Sequence, residues 1–129
     1  MLKILIVDDD ERLLTLYSTI LRREGYEVVT ASDAEKGCAL AVSGQPNLIL
    51  LDVVMPSVDG GQVVKNLSEN ASTKHIPVIY LTSMVKEEEV EAARGKFGGR
   101  EYISKSTPMD KFAARVKKAL SSTPPNKSL

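Results

Sequence analysis

The chain is poor in residues that would staple it or carry soft-metal chemistry. It has one cysteine, Cys38, so no internal disulfide can form, and a reducing cytoplasm is the expected compartment. It has one histidine, His75, no tryptophan, and only 5% aromatics in 129 residues. Neither sign of charge is in excess: 17 Lys and Arg meet 17 Asp and Glu. That balance carries no electrostatic footprint for direct nucleic-acid binding or an anionic membrane. No apolar run approaches a membrane span, and Met1–Val7 is too short for a signal-peptide core. What is present is 43% hydrophobic and 26% charged residues, the composition of one soluble domain with a single core.

Those hydrophobic residues alternate between two patterns. Lys3–Val7 (KILIV), Leu48–Leu51 (LILL) and Pro77–Leu81 (PVIYL) are short apolar runs, suited to strands buried on both faces. Glu27–Ala31 (EVVTA) and Glu101–Ser104 (EYIS) complete five strands. Between them lie helical stripes. Leu13, Leu16, Tyr17, Ile20 and Leu21 share one face, and Gly25 stops that helix. Ser32 and Glu35 spell a capping box for a second helix through about Val42. Asp59 and Gln62 open a third helix, residues 85–94 predict a fourth, and Thr107, Pro108 and Asp110 open the last. Strict strand–helix alternation predicts an α/β fold: a doubly wound, five-stranded parallel sheet of flavodoxin-like order 2-1-3-4-5, helices on both faces. Residues 1–120 form the expected domain. Residues 121–129, polar and proline-rich, read as a flexible tail or the start of a linker.

In such sheets ligands sit beyond the carboxyl ends of the strands. Asp8, Asp9 and Asp10 follow the first strand, Asp52 the third, Thr82 and Ser83 the fourth, and Lys105 the fifth. Like charges ~4 Å apart repel by about 1 kcal/mol in water and roughly 4 at an effective dielectric of 20. Either these acids are a solvated helix start, or a cation offsets them. Hard oxygen donors without Cys or His suit Mg²⁺ and argue against zinc. A metal, a lysine and a hydroxyl around one carboxylate make a cradle for phosphoryl transfer, with Asp52 as the nucleophile that becomes an aspartyl-phosphate. Taken singly, each residue has a plainer role: Asp52 a turn acid, Thr82 a β-branched strand residue, Lys105 a surface lysine. His75 reads as exposed and inert, Cys38 as a small apolar helix residue, and Glu87–Glu89 as a solvated face.

The set VDDD, LLDVVMPSVDG, VIYLTS and EYISK resembles the receiver domain of bacterial two-component response regulators over about residues 1–120. The resemblance implies that Asp52 is the phosphoacceptor, that Asp9 binds Mg²⁺ directly and Asp8 through water, and that the backbone carbonyl of Val54 is a further ligand. It implies that Thr82 is the switch hydroxyl, Tyr102 the aromatic switch and Lys105 the conserved-type lysine of the site. It also implies a phosphohistidine donor on a sensor histidine kinase or phosphotransfer protein. The output is then a change on the face made by the fourth helix, fifth strand and fifth helix, read by an output partner or domain that the sequence does not name. No direct nucleic-acid contact by this chain and no membrane are expected.

Two departures from the family pattern stand out. Proline usually follows the lysine; here Ser106 does, and proline waits until Pro108. FGGREY replaces the usual Gly-Ala-acid before the aromatic, which bears on the output surface. Val54 and Met84, both apolar at positions that tune hydrolysis, predict slow self-dephosphorylation. The protein is accordingly not a conventional enzyme, though it would catalyse its own phosphorylation. A phosphorylation-independent interaction module is the alternative. A haloacid-dehalogenase-type phosphatase would want an acid where Val54 stands, and an FMN carrier would not place DDDE against a phosphate.

Overall fold

The computed structural model describes residues 1–52, 54–55, 58–83, 86, 96–97 and 100–122. The predicted fourth helix apart from Lys86, together with Met84, Glu87–Glu89, Gly99 and residues 123–129, lies outside the described residues. The elements run β1 (Lys3–Val7), α1 (Glu11–Arg23), β2 (Glu27–Ala31), α2 (Ala34–Gly44), β3 (Leu48–Asp52), β4 (Val54–Met55), β5 (Val58–Asp59), α3 (Gly60–Glu69), β6 (Val78–Thr82), β7 (Lys96–Phe97), β8 (Arg100–Ser104) and α4 (Met109–Ser122).

Five of these strands pair in parallel in the order β2-β1-β3-β6-β8, the predicted 2-1-3-4-5 arrangement. Because side chains alternate across a strand, each apolar run feeds two cores at once. Ile4, Ile6, Leu48, Leu50, Ile79, Leu81 and Ile103 pack with Leu14, Tyr17 and Leu21 of α1 and Phe112 and Val116 of α4. Leu5, Val7, Ile49, Leu51 and Tyr80 face the other way, onto Ala34 and Ala41 of α2 and Val63 and Leu67 of α3. Each fully buried Leu or Ile contributes roughly 1.5–3 kcal/mol. This double burial explains why the strands read as unbroken apolar runs.

Local detail differs from the sequence reading in several places. The cap of α2 is Asp33, whose carboxylate accepts from the Lys36 amide at 2.8 Å, so the Ser32–Glu35 box does not form. The helix continues to Gly44 and closes at Gln45, which takes the left-handed conformation at φ 46°. The fourth parallel strand begins at Val78 rather than Pro77 and includes Thr82. Pro108 lies just before α4, its carbonyl accepting from the Phe112 amide at 2.9 Å. Two short antiparallel pairs were not foreseen: β4 with β5, and β7 added to β8 at the sheet edge. Gly37 lets α2 come close to the end of β1; a Cβ there would stand 2.8 Å from Val7 Cγ2. That close approach helps hold the strand whose next residue is Asp8.

Candidate phosphoacceptor site

The apolar stretches of β1 and β3 give way to acid at the same level of the sheet, because the two strands pair in register from Ile4↔Leu48 to Val7↔Leu51. Asp8 follows β1, whereas Asp52, expected just past the third strand, is the last residue of β3, one beyond its final pair with β1 and itself paired with Leu81. Both acids are buried, at 0% and 2% exposure, whereas Asp9 is exposed. One ligand oxygen from each of Asp8, Asp9 and Asp52 lies within 4.8 Å of the others. Asp10 is not part of the group. It caps α1, its carboxylate accepting from Arg12 N at 3.0 Å and Leu13 N at 3.4 Å. Its own amide donates to Asp8 Oδ1 at 2.9 Å and fixes that carboxylate. The acidic run thus divides its labour: one buried anchor, one exposed ligand, one helix cap.

Lys105 enters from the end of β8. Its ammonium lies 2.8 Å from Asp8 Oδ2 and 3.2 Å from Asp52 Oδ2. Burial would lower its pKa, but the hydrogen bond and charge of Asp8, then the charge and hydrogen bond of Asp52, outweigh that and raise it. Lys105 is therefore a fixed cation at neutral pH. No cis peptide bond occurs among the described residues, so Lys105–Ser106 is trans, and the lysine reaches both acids without a proline behind it.

Thr82 ends β6, buried at 2%, one residue past Leu81, the register partner of Asp52. Its carbonyl accepts from the Lys105 amide at 2.7 Å. Tyr102 is half-buried, its ring edge-on to Tyr80 at 4.9 Å between centroids and 85°. Val54 opens β4, two residues past Asp52. His75 is exposed and Cys38 half-buried.

Two features escaped the sequence reading. Tyr17 belongs to the core, stacked on Phe112 at 4.5 Å, yet feels the site. Burial pushes its hydroxyl up to about 12; Lys105 pulls it down, while Asp8, Asp52 and Asp10 push it up. Its place on the inner stripe of α1 signalled burial but not this neighbourhood. The other is the pair Ser104 and Ser106, whose hydroxyls lie 2.8 Å apart beside the lysine. The only signal was their spacing around Lys105.

The Lys105 ammonium meets two buried carboxylates, and a third, Asp9, lies in the same cluster, so a further cation is electrostatically welcome. The donors are hard oxygens, without Cys or His, which fits Mg²⁺.

Fold and site together define a receiver. The chain belongs to the response regulator receiver domain family, whose family model matches residues 4–117. It is 40% identical over 119 residues to the alkaline phosphatase synthesis transcriptional regulatory protein PhoP of Bacillus subtilis (strain 168), covering 92% of this chain and 48% of that protein. It is 37% identical over 111 residues to the protein PilH of Pseudomonas aeruginosa, covering 85% and 88% of the two chains. The chain thus spans about half of the first relative's length and most of the second's. Among solved structures, a CheY-like response regulator receiver domain protein from Methanospirillum hungatei JF-1 superposes with a TM-score of 0.78 at 27% identity, over 95% of this chain and 96% of that one.

Proposed function

We propose that this protein is a phosphoacceptor signalling switch that takes a phosphoryl group onto Asp52 from a phosphohistidine of a sensor kinase or phosphotransfer protein. The observation that carries the reading is the Lys105 ammonium held 2.8 Å from Asp8 and 3.2 Å from Asp52, on the rim where Asp9 completes an acid cluster. A carboxylate oxygen of Asp52 attacks phosphorus; the P–O bond forms as the P–N bond to the donor imidazole breaks, and the imidazole leaves as the neutral ring on taking a proton. Lys105 screens the Asp52 charge from the incoming phosphoryl oxygens and then pairs with them. Asp8, Asp9, Asp52 and the backbone carbonyl of Val54 would hold Mg²⁺, which supplies neutralisation of the transferring group when bound.

Thr82 turns its hydroxyl toward the new phosphoryl group, and Tyr102 follows inward. The strand β8 and helix α4 are the described part of the surface that changes. Its reader is an output partner or an output domain, and the chain itself touches neither nucleic acid nor membrane. Among the described residues no helix is long and apolar enough to cross a membrane; the reading places the protein in the cytoplasm. Val54 and Met84 supply no polar group to orient an attacking water, so the phosphorylated state is lost slowly. Domain and tail divide near residue 120.

Intact-mass spectrometry after incubation with acetyl phosphate tests this. One phosphoryl adduct that requires both Mg²⁺ and Asp52, and is absent in Asp52→Ala, is the expected result. An adduct that survives in Asp52→Ala, or forms equally with a chelator present, overturns the assignment. A folded protein that takes no adduct from acetyl phosphate or from a kinase leaves the interaction-module reading.

A further inference from the structure

The turn after β8 has to deliver Lys105 to two carboxylates on other strands and then reverse into α4. The peptide that follows the lysine is trans, and the next residue is serine. Without a ring to set the backbone, other contacts must do so. Ser104 supplies them. Its hydroxyl oxygen accepts the Ser106 amide at 3.1 Å and lies 2.8 Å from the Ser106 hydroxyl, and its carbonyl accepts the Thr107 amide at 3.0 Å. The first and last of these bonds close two nested turns, and Lys105 is a central residue of both. A third tie, the Lys105 amide to the Thr82 carbonyl at 2.7 Å, fixes the same residue to the neighbouring strand. Ser104 itself is 1% exposed and pairs in register with Thr82, so its position is set by the sheet. Side-chain-to-backbone bonds of this kind restrict the torsions of the residue they span.

We propose that Ser104 and Ser106 are positioning residues for Lys105: their hydroxyl clasp holds the lysine backbone so that its ammonium meets Asp8 and Asp52. The clasp acts through Lys105 and touches no reacting atom. Its kinetic consequence rests on the phosphoacceptor reading of Asp52; its structural consequence does not.

Ser104→Ala removes the acceptor of the Ser106 amide and one half of the hydroxyl pair. Ser106→Ala removes the hydroxyl pair and keeps the amide bond to Ser104 Oγ. Ser104→Thr keeps a hydroxyl. Two readouts are made on each. One is the side-chain ammonium resonance of Lys105 in ¹⁵N-labelled protein, visible because its carboxylate partners slow proton exchange and assigned by its loss in Lys105→Met. The other is the initial rate of adduct formation with acetyl phosphate and Mg²⁺. The expected result is a lost or exchange-broadened ammonium resonance in Ser104→Ala and a rate lowered on the order of tenfold, the low end of what supporting partners of a site contribute. Ser104→Thr restores both readouts, and Ser106→Ala shifts the resonance with a smaller rate loss. An unchanged resonance in both alanine variants overturns the proposal, as does a Ser104→Thr protein as impaired as Ser104→Ala, which would make the effect one of packing. If Ser104→Ala does not fold, Ser106→Ala decides by whether its resonance moves. A wild type that forms no adduct sinks the phosphoacceptor reading, and the resonance alone then decides the clasp.

Discussion

Two lysines mark the two ends of the sheet, and they are used in opposite ways. At the amino end, the Lys3 ammonium donates to the Gly44 carbonyl at 2.9 Å and stands 3.9 Å from Glu27, with side chains 27% and 53% exposed. One cation meets one solvated anion and a helix-end carbonyl, and nothing is left over. At the carboxyl end, the Lys105 side chain is 15% exposed between Asp8 at 0% and Asp52 at 3%, with Asp9 beside them. There the anions outnumber the cation in a largely dry place. Balanced, wet charge ties a strand to its neighbours; unbalanced, buried charge is a stress that a further cation would relieve.

The largest effect that separates the two ends comes from the same substitution at each. Lys105→Met leaves two buried carboxylates without their partner and should cost about 3 kcal/mol at neutral pH. Lys3→Met removes an exposed pair and should cost under about 1 kcal/mol. Urea unfolding in the absence of magnesium measures both. Equal costs would mean that the carboxyl-end cluster carries no unusual charge stress.

The cation site gives the next effect. Magnesium at a hundredfold its dissociation constant should stabilise the folded protein by about 2.7 kcal/mol. Asp9→Ala should abolish that gain while changing metal-free stability by no more than about 0.5 kcal/mol, because Asp9 is exposed. Thermal melts with and without magnesium read this directly. A gain that persists in Asp9→Ala removes Asp9 from the ligand set.

Alkaline pH gives the smallest and most graded effect. The folded pKa of Lys105 is raised above its ordinary 10.5, so its contribution is intact below that value and is lost as pH climbs through the raised one. Tyr17, raised from 10.0 to about 12, acts with the same sign: between those values the unfolded chain has released a proton that the folded chain keeps. Stability should therefore fall as pH rises past 10, and Tyr17→Phe, which retains the stack on Phe112, should flatten part of that fall. Denaturant midpoints across this range check it. A Tyr17→Phe curve parallel to wild type would mean that burial does not hold the Tyr17 proton above its ordinary range.

Much of this was readable along the chain, for a simple reason. A strand buried on both faces must be apolar throughout, so the points where Val7, Leu51 and Ser104 yield to or adjoin charge mark the strand ends to within a residue and thereby the rim; β3 itself ends on Asp52. Residue types there already suggested a hard cation and an anion-binding lysine. The five main strands and their order followed from period and alternation, but the stripe of α1 did so only in part: Leu16, placed on its inner face, is 43% exposed, and Leu14 is buried with Tyr17 and Leu21. The choice among neighbouring polar residues was another matter. Ser32 and Asp33 are both good caps, and only the backbone at Asp33, extended at φ −144°, decided between them. Residue type alone did not separate the three consecutive acids, and the family resemblance singled out Asp8 and Asp9; packing makes Asp8 buried, Asp9 exposed and Asp10 the cap of α1.

What local pattern determines is where polarity begins; what packing decides is which polar atoms meet. Periodicity is a property of neighbours in the chain and is written in every window of residues. The distance from Lys105 to Asp8 and Asp52 depends on the register of four strands and on a turn closed onto the Ser104 hydroxyl and carbonyl. The coupling of Tyr17 to the same acids depends on how α1 lies against α4. Such contacts join residues far apart in the chain, and they exist only once the apolar runs have stacked into a sheet and fixed the height at which each strand ends.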